Sequence, residues 1–158
     1  MFYFAYGSNM SFGQLAQRGC QGHKFIGPAM LNNFELTFNG SSPNWNMMGT
    51  ANISYSQNSI VWGGLFEVDY NFIQTLNVLE HVPKRRKIIT LEVTSQGKPY
   101  SALSYIIKRD LVLKAPSQEY LDRIIDGAKD CLIPDEYIAG LLVGRALSDT
   151  VDQPTRAR

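Results

Sequence analysis

Glu80 and the tetrapeptide Tyr6-Gly7-Ser8-Asn9 are the places in this 158-residue chain where residue type and spacing could do chemistry. Glu80 follows Phe72 by eight residues and Leu76 by four, so a helix through this stretch carries its carboxylate on the same stripe as those apolar side chains. In general, a carboxyl group withdrawn from water favours its neutral form, which helps it both take and return a proton. The same spacing also suits a plainer arrangement, in which Glu80 sits at the helix end near the surface and pairs with Lys84. The tetrapeptide lies between an aromatic strand and a helix start, where successive main-chain N–H groups can converge on an anion or a polarised carbonyl. Such a turn also serves as an ordinary connection, with Ser8 and Asn9 satisfying local backbone groups. It lacks a GxxxxGK[ST] pattern, so nucleotide phosphate is not its natural ligand.

Other acids and nucleophiles carry weaker signals. Glu35 and Glu92 alternate with polar positions, and Glu119 and Glu136 fall in first turns of helices, where they complement the dipole. Glu67 shares a strand face with Val61, Gly63 and Leu65, which turns it inward toward a structural hydrogen bond. Neither His23 nor His81 belongs to a Ser or Cys nucleophile motif, although Cys20 stands close to His23 in sequence. His81 directly follows Glu80, and adjacent helical residues diverge by about 100°, so the two do not form a dyad. Cys20 and Cys131 have neither CxxC spacing nor a histidine cluster, which argues against a zinc site and for two reduced, structural thiols.

Short strands and helices must position these residues. Phe2, Phe4 and Tyr6 alternate with Tyr3 and Ala5, which predicts a strand covered on both faces and broken by Gly7-Ser8-Asn9. Ser11 with Gln14 has the capping-box form, so a helix runs from there to about Arg18, where Gly19 ends it. One or two strands span Phe25 to Phe38, with Phe34, Leu36 and Phe38 on one face and Glu35 toward water. Gly40 to Asn46 predicts a loop, followed by strands near Thr50 to Ser54 and Ile60 to Val68 with a turn at Gln57-Asn58-Ser59. Gly63-Gly64 inside the later strand marks a bulge, a sharp coil or a close backbone approach. Asp69 is a helix N-cap with Glu80 near the far end, and strands follow at Lys87 to Thr94 and Tyr100 to Lys108. Pro116-Ser117 starts a helix with a stripe at Leu121, Ile124, Ile125 and Ala128, and Pro134 opens another toward Arg145. Strands first and helices late predict one mixed α+β domain over 1–148, for which a small closed barrel is a suitable form, with 149–158 as a flexible tail.

Composition narrows the function classes. With 44% hydrophobic and 18% charged residues the chain has volume for one core and not for two. Its net charge is +1, and Lys84-Arg85-Arg86-Lys87 is the one dense basic run, which reads as a solvated loop or strand entrance rather than a footprint for nucleic acid. The first six residues lack the parts of a secretory signal, and no apolar run approaches the roughly 18 residues of a membrane span. These features predict a cytoplasmic protein that binds neither membrane nor nucleic acid.

Several segments then line up in order. Phe4-Ala5-Tyr6-Gly7-Ser8-Asn9-Met10 carries YGSN, Val61-Trp62-Gly63-Gly64-Leu65-Phe66 follows, and Leu76-Asn77-Val78-Leu79-Glu80 stands where an LDxxE helix end would fall. Ser104-Tyr105-Ile106-Ile107, Pro116-Ser117-Gln118-Glu119-Tyr120, Gly127-Ala128-Lys129, Leu132-Ile133-Pro134 and Tyr137 come after them. In this order and spacing the chain resembles the gamma-glutamylcyclotransferase family, of AIG2-like type, from its first strand to about Leu141. The resemblance implies a small mixed β-barrel with flanking helices, Glu80 as acid/base, and Tyr6, Gly7, Ser8 and Asn9 as the substrate loop. It further implies that Tyr120 lines the pocket, that no cofactor or metal is needed, and that the substrate is a small gamma-glutamyl amino acid or amine closed to 5-oxoproline. A homodimer is compatible with it. Glutathione-specific cyclases match less well, since they generally show YGS without this Asn9. Two positions depart from the pattern: His81 stands where the family has glycine after its glutamate, and Arg86-Lys87-Ile88 lacks the tyrosine often found there. These changes would reshape the pocket's mouth. They leave open a non-catalytic binding domain of the same fold, or a cyclotransferase acting on another gamma-glutamyl-acylated small molecule. The aromatic loop around Trp45 offers a third alternative, a protein-contact patch.

Overall fold

Every residue of β1 (Phe2–Ala5) after the first is buried, because aromatic side chains on both faces of so short a strand need cover on both sides. In the computed structural model, which describes residues 1–45, 47–108 and 112–142, a closed barrel and its helices supply that cover. Strands β2 (His23–Ser41), β3 (Gly49–Val68), β4 (Arg86–Ser95) and β5 (Lys98–Ile107) complete the barrel in the order β1-β3-β2-β4-β5. Neighbours pair antiparallel except at the closure, where Tyr3 of β1 lies parallel to Leu103 of β5. Helices α1 (Phe12–Gln17), α2 (Tyr70–Leu79) and α3 (Gln118–Asp130) flank it, and residues 135–142 are also helical. The architecture is the α+β barrel that the sequence predicts. Among the described residues no helix is long and apolar enough to cross a membrane. The expected tail at 149–158, and the last turn of the helix expected toward Arg145, lie outside the described residues.

Phe4, Leu65, Phe66, Phe72, Leu76 and Ile124 are fully buried and join the barrel to α2 and α3 in one core. Burying each such side chain stabilises the fold by about 1.5–3 kcal/mol. Gly63 and Gly64 sit where β3 crosses that core. A Cβ on Gly63 would stand 2.3 Å from the Ala5 carbonyl oxygen, and one on Gly64 would stand 2.4 Å from Cys131 Sγ. Close approach is therefore the reason for this pair of glycines.

The helix starts follow their side-chain caps. Ser11 Oγ accepts from the Gln14 N–H at 3.2 Å, Asp69 Oδ1 from Phe72 at 2.9 Å, and Ser117 Oγ from Tyr120 at 3.1 Å. Ser117→Ala is expected to cost about 1 kcal/mol and lower Tm by about 2–4 °C in a thermal melt, because it orphans a first-turn donor of α3. An unchanged Tm would mean that water replaces the cap.

Two expectations need correction. The turn expected at Gln57-Asn58-Ser59 does not separate two strands: β3 runs through it. Tyr55 pairs with Phe34 and Ile60 with Asn32, so residues 56–59 of β3 oppose Asn33 alone, and the turn signal is used for a bulge. Asn33 and Asn58 both adopt positive φ there, at 62° and 64°, and Asn33 Oδ1 accepts from the Asn58 N–H at 3.2 Å. Asparagine tolerates that conformation and bonds its own surroundings, which lets the ladder resume beyond it. The second correction is Glu67, which is exposed rather than inward-facing: Leu65 and Phe66 are both fully buried, so this part of β3 does not follow a simple inside–outside alternation.

Candidate active site

Helix α2 ends on Glu80, its C-cap, and the geometry of that end aims the side chain. His81 donates its N–H to Val78 at 3.2 Å and Val82 donates to Asn77 at 2.9 Å, the paired bonds of a Schellman motif. His81 accordingly takes φ 55°, the left-handed conformation that glycine adopts most readily. This accounts physically for glycine at the matching place in the family pattern. His81→Gly is expected to stabilise the fold by about 0.5–1 kcal/mol and raise Tm by about 2–3 °C. A lower Tm would show that the imidazole makes a contact outweighing its strained backbone.

The opposing wall is the loop after β1. Gly7 caps a 3-10 turn over Ser8–Met10, whose first N–H groups, on Ser8 and Asn9, have no partner within the turn. A Cβ on Gly7 would come within 3.2 Å of Ala51 Cβ and 3.5 Å of the Tyr120 hydroxyl, so a side chain there would crowd the pocket. Only half of the expected capping box forms. Gln14 does not reach back to Ser11 but donates through Nε2 to Ser8 Oγ at 2.9 Å and Asn9 Oδ1 at 3.1 Å, bracing the loop from α1.

The loop and the helix end meet. Asn9 Nδ2 donates to Glu80 Oε1 at 2.9 Å and lies 3.2 Å from the Tyr3 hydroxyl. Arg86 Nε stands 3.0 Å from Glu80 Oε2, and Arg18 Nη1 lies 3.7 Å from Oε1 while donating to Asn9 Oδ1 at 2.9 Å. The Glu80 side chain is 14% exposed, so the plainer arrangement at the surface does not hold. Its partners are Arg18 and Arg86, not Lys84. Nor is it set among apolar groups alone, because two guanidiniums face it.

These residues border a cavity of about 440 Å³ that Tyr6, Gly7, Ser8, Asn9, Glu80 and Tyr120 all line. The six residues that the family resemblance assigns to the site thus line one space. Tyr6 is buried and its hydroxyl donates to the Tyr105 carbonyl oxygen. The Tyr120 hydroxyl accepts from the Ala51 N–H at 2.9 Å, and Trp45 packs on its ring at 4.9 Å, so Trp45 is a half-buried wall and not the exposed patch that its loop suggested. Burial holds the Tyr6 and Tyr120 hydroxyls above their ordinary range. Burial, reinforced by the Glu80 charge, does the same to Tyr3 and Tyr105, and these phenols stay neutral near neutral pH. At Arg86 burial opposes the cation, but the charge of the adjacent Glu80 carboxylate counters it and the guanidinium stays charged.

Sequence reasoning missed Arg18 and Arg86. Arg86 was hidden in a basic run read as solvated, yet it alone of the run's four residues is not exposed. Arg18 follows Gln14 by four residues, and that spacing puts both on the helix face toward Asn9. Cys20 and Cys131 are buried free thiols, and the His23 ring lies against Phe66 and Phe72. Among the described residues no group of three or more His, Cys, Asp or Glu gathers in a metal-holding arrangement.

Comparison with known proteins bears on the family and the fold. The sequence profile of the AIG2-like family matches residues 60–141. A solved structure named gamma-glutamyl cyclotransferase superposes with a TM-score of 0.83 at 30% identity, over 89% of this chain and 85% of that one. An uncharacterized protein from Homo sapiens gives 0.82 at 28% identity, over 99% and 90%. YkqA from Bacillus subtilis shares the fold with a TM-score of 0.80 at 23% identity, over 92% of this chain and 54% of that one. No functionally curated protein matches the sequence.

Proposed function

This chain belongs to the AIG2-like family of gamma-glutamylcyclotransferase-like proteins, and on that premise we propose that it closes a gamma-glutamyl amino acid or amine into 5-oxoproline and releases the free amine, with Glu80 as acid/base. The observation that carries this reading is the Glu80 carboxylate, 2.9 Å from Asn9 Nδ2 across a cavity shared with the Gly7 to Asn9 loop.

In this reaction Glu80 takes a proton from the substrate's alpha-ammonium group, and the freed amine attacks the gamma-carbonyl carbon of the same molecule. The new C–N bond closes a five-membered ring, the ring nitrogen gives its second proton to solvent, and Glu80 returns the first to the departing nitrogen as its bond to carbon breaks, so that it leaves as a neutral amine. Nucleophile and electrophile are already joined, so a cavity that folds the substrate supplies several kcal/mol through effective molarity. The N–H groups of Ser8 and Asn9, which have no partner within the 3-10 turn, are suited to the substrate carboxylate or the developing oxyanion, with Tyr6, Gly7 and Tyr120 shaping the space around them. Arg86 holds Glu80 through Nε at 3.0 Å while both of its Nη atoms donate to the Ala51 carbonyl at 3.3 Å, so a charged guanidinium orients the base in the cavity. No step needs a cofactor. We place the reaction in the cytoplasm.

Incubation with a panel of gamma-glutamyl amino acids and amines, with 5-oxoproline detected by mass, tests the proposal. Release of 5-oxoproline and free amine is the expected result. One feature favours a second reading, a binding domain without turnover: both Glu80 oxygens are already engaged by Asn9, Arg18 and Arg86. Calorimetric binding of 5-oxoproline with no amine released from any substrate would favour it.

A further inference from the structure

Five cationic side chains, Arg18, Lys84, Arg85, Arg86 and Lys108, line the cavity against one carboxylate, Glu80, among the described residues. They divide into two groups. Arg18 and Arg86 are largely buried and pair with Glu80, whereas Lys84, Arg85 and Lys108 are exposed at the mouth. Among the described residues both ion pairs on this wall are made by Glu80, with Arg18 and Arg86, so Glu80 does not neutralise the mouth cations.

The mouth is also fixed relative to the floor. Lys84 and Arg85 lie on the short connection from α2 to β4, and the Glu80–Arg86 ion pair at 3.0 Å clamps its two ends. Within it Arg85 donates its N–H to the His81 carbonyl at 2.9 Å, and from β5 Lys108 donates its own N–H to the Arg85 carbonyl at 3.0 Å. Lys108 Nζ also donates to the Pro83 carbonyl at 3.3 Å. The backbone that carries the three cations is therefore held at a set place beyond the acid/base, where the departing part of a substrate held at Glu80 would extend. Among the described residues no carboxylate of the cavity lining other than Glu80 faces that charge, and a leaving group with two carboxylates complements it better than a neutral or singly charged one.

We infer that Lys84, Arg85 and Lys108 form a specificity rim that selects gamma-glutamyl compounds whose leaving amine is an acidic amino acid, with two carboxylates. This inference rests on the cyclisation proposed above and adds the substrate class to it.

The test compares gamma-glutamyl-glutamate with gamma-glutamyl-glutamine, which differ by one charge at nearly constant shape. At low ionic strength kcat/KM for the acidic substrate is expected to exceed that for the amide about fivefold, the scale of two or three exposed ion pairs. The ratio should fall toward one in about 0.5 M salt, and also in the Lys84→Gln/Arg85→Gln double variant. Release of 5-oxoproline from both substrates at equal efficiency would overturn the inference and leave the cyclisation standing. A preference that survives in the double variant would overturn the assignment to these residues. Absence of 5-oxoproline from both substrates and from every compound of the panel above would overturn the cyclisation, and the substrate class with it.

Discussion

Glu80→Gln lowers 5-oxoproline release at least about a hundredfold while the barrel stays folded. The change keeps the side chain's shape and the oxygen that accepts from Asn9 at 2.9 Å, but removes the group that moves the proton. General acid–base catalysis by one positioned residue contributes roughly 10²–10⁴-fold, and here the same residue serves both attack and departure. A stability cost accompanies the loss of charge, because Arg86 is only 16% exposed and its Nε loses an anionic partner at 3.0 Å. About 1–2 kcal/mol is expected, well inside what a folded domain tolerates. Circular dichroism and a melt measure the fold, and a steady-state assay measures the rate. Near-normal turnover by a folded variant would remove Glu80 from its role.

Gly127→Ala is expected to cost about 2 kcal/mol or more and to lower turnover about tenfold, although Gly127 touches no substrate. Gly127 lies on α3 under the Met10–Ser11 junction that ends the 3-10 turn. A Cβ there would stand 2.5 Å from the Ser11 nitrogen and 2.7 Å from the Met10 carbonyl carbon. These are main-chain atoms and cannot rotate away, so either α3 withdraws or the turn bearing Ser8 and Asn9 shifts. Overpacking of this kind costs about 1–3 kcal/mol, beyond the gain in helix propensity, and small displacements of positioning groups are expensive in rate. Gly140→Ala provides the contrast, because that glycine is helical and a Cβ there meets nothing within 4 Å. It should stabilise by about 0.5–1 kcal/mol. A melt showing Gly127→Ala as stable as the parent would mean that α3 does not press on the loop.

The difference between what could and could not be read from sequence follows from these contacts. Glu80 and the Tyr6 to Asn9 loop were legible because each sits at an element end with a local signal: Asp69 caps α2, and Ser11 caps α1. The helix ends were harder. All three carry a left-handed residue, but only α1 uses glycine, at Gly19, while α2 uses His81 and α3 uses Leu132. The two cations beside Glu80 were illegible for another reason. Pairing Arg18 and Arg86 with one carboxylate requires α1, α2 and β4 to meet, a long-range fact that no window of sequence contains. The bulge at Asn33 and Asn58 is similar, since one asparagine side chain on β2 satisfies the backbone of the other on β3.

Under the proposed cyclisation the substrate's own amine, and not water, attacks the gamma-carbonyl inside the Glu80 cavity. Running the reaction in ¹⁸O-enriched water and weighing the acyl product tests it most directly. 5-Oxoproline without ¹⁸O, together with the free amine, is the expected result. Glutamate carrying one ¹⁸O atom, the signature of hydrolysis, would contradict it.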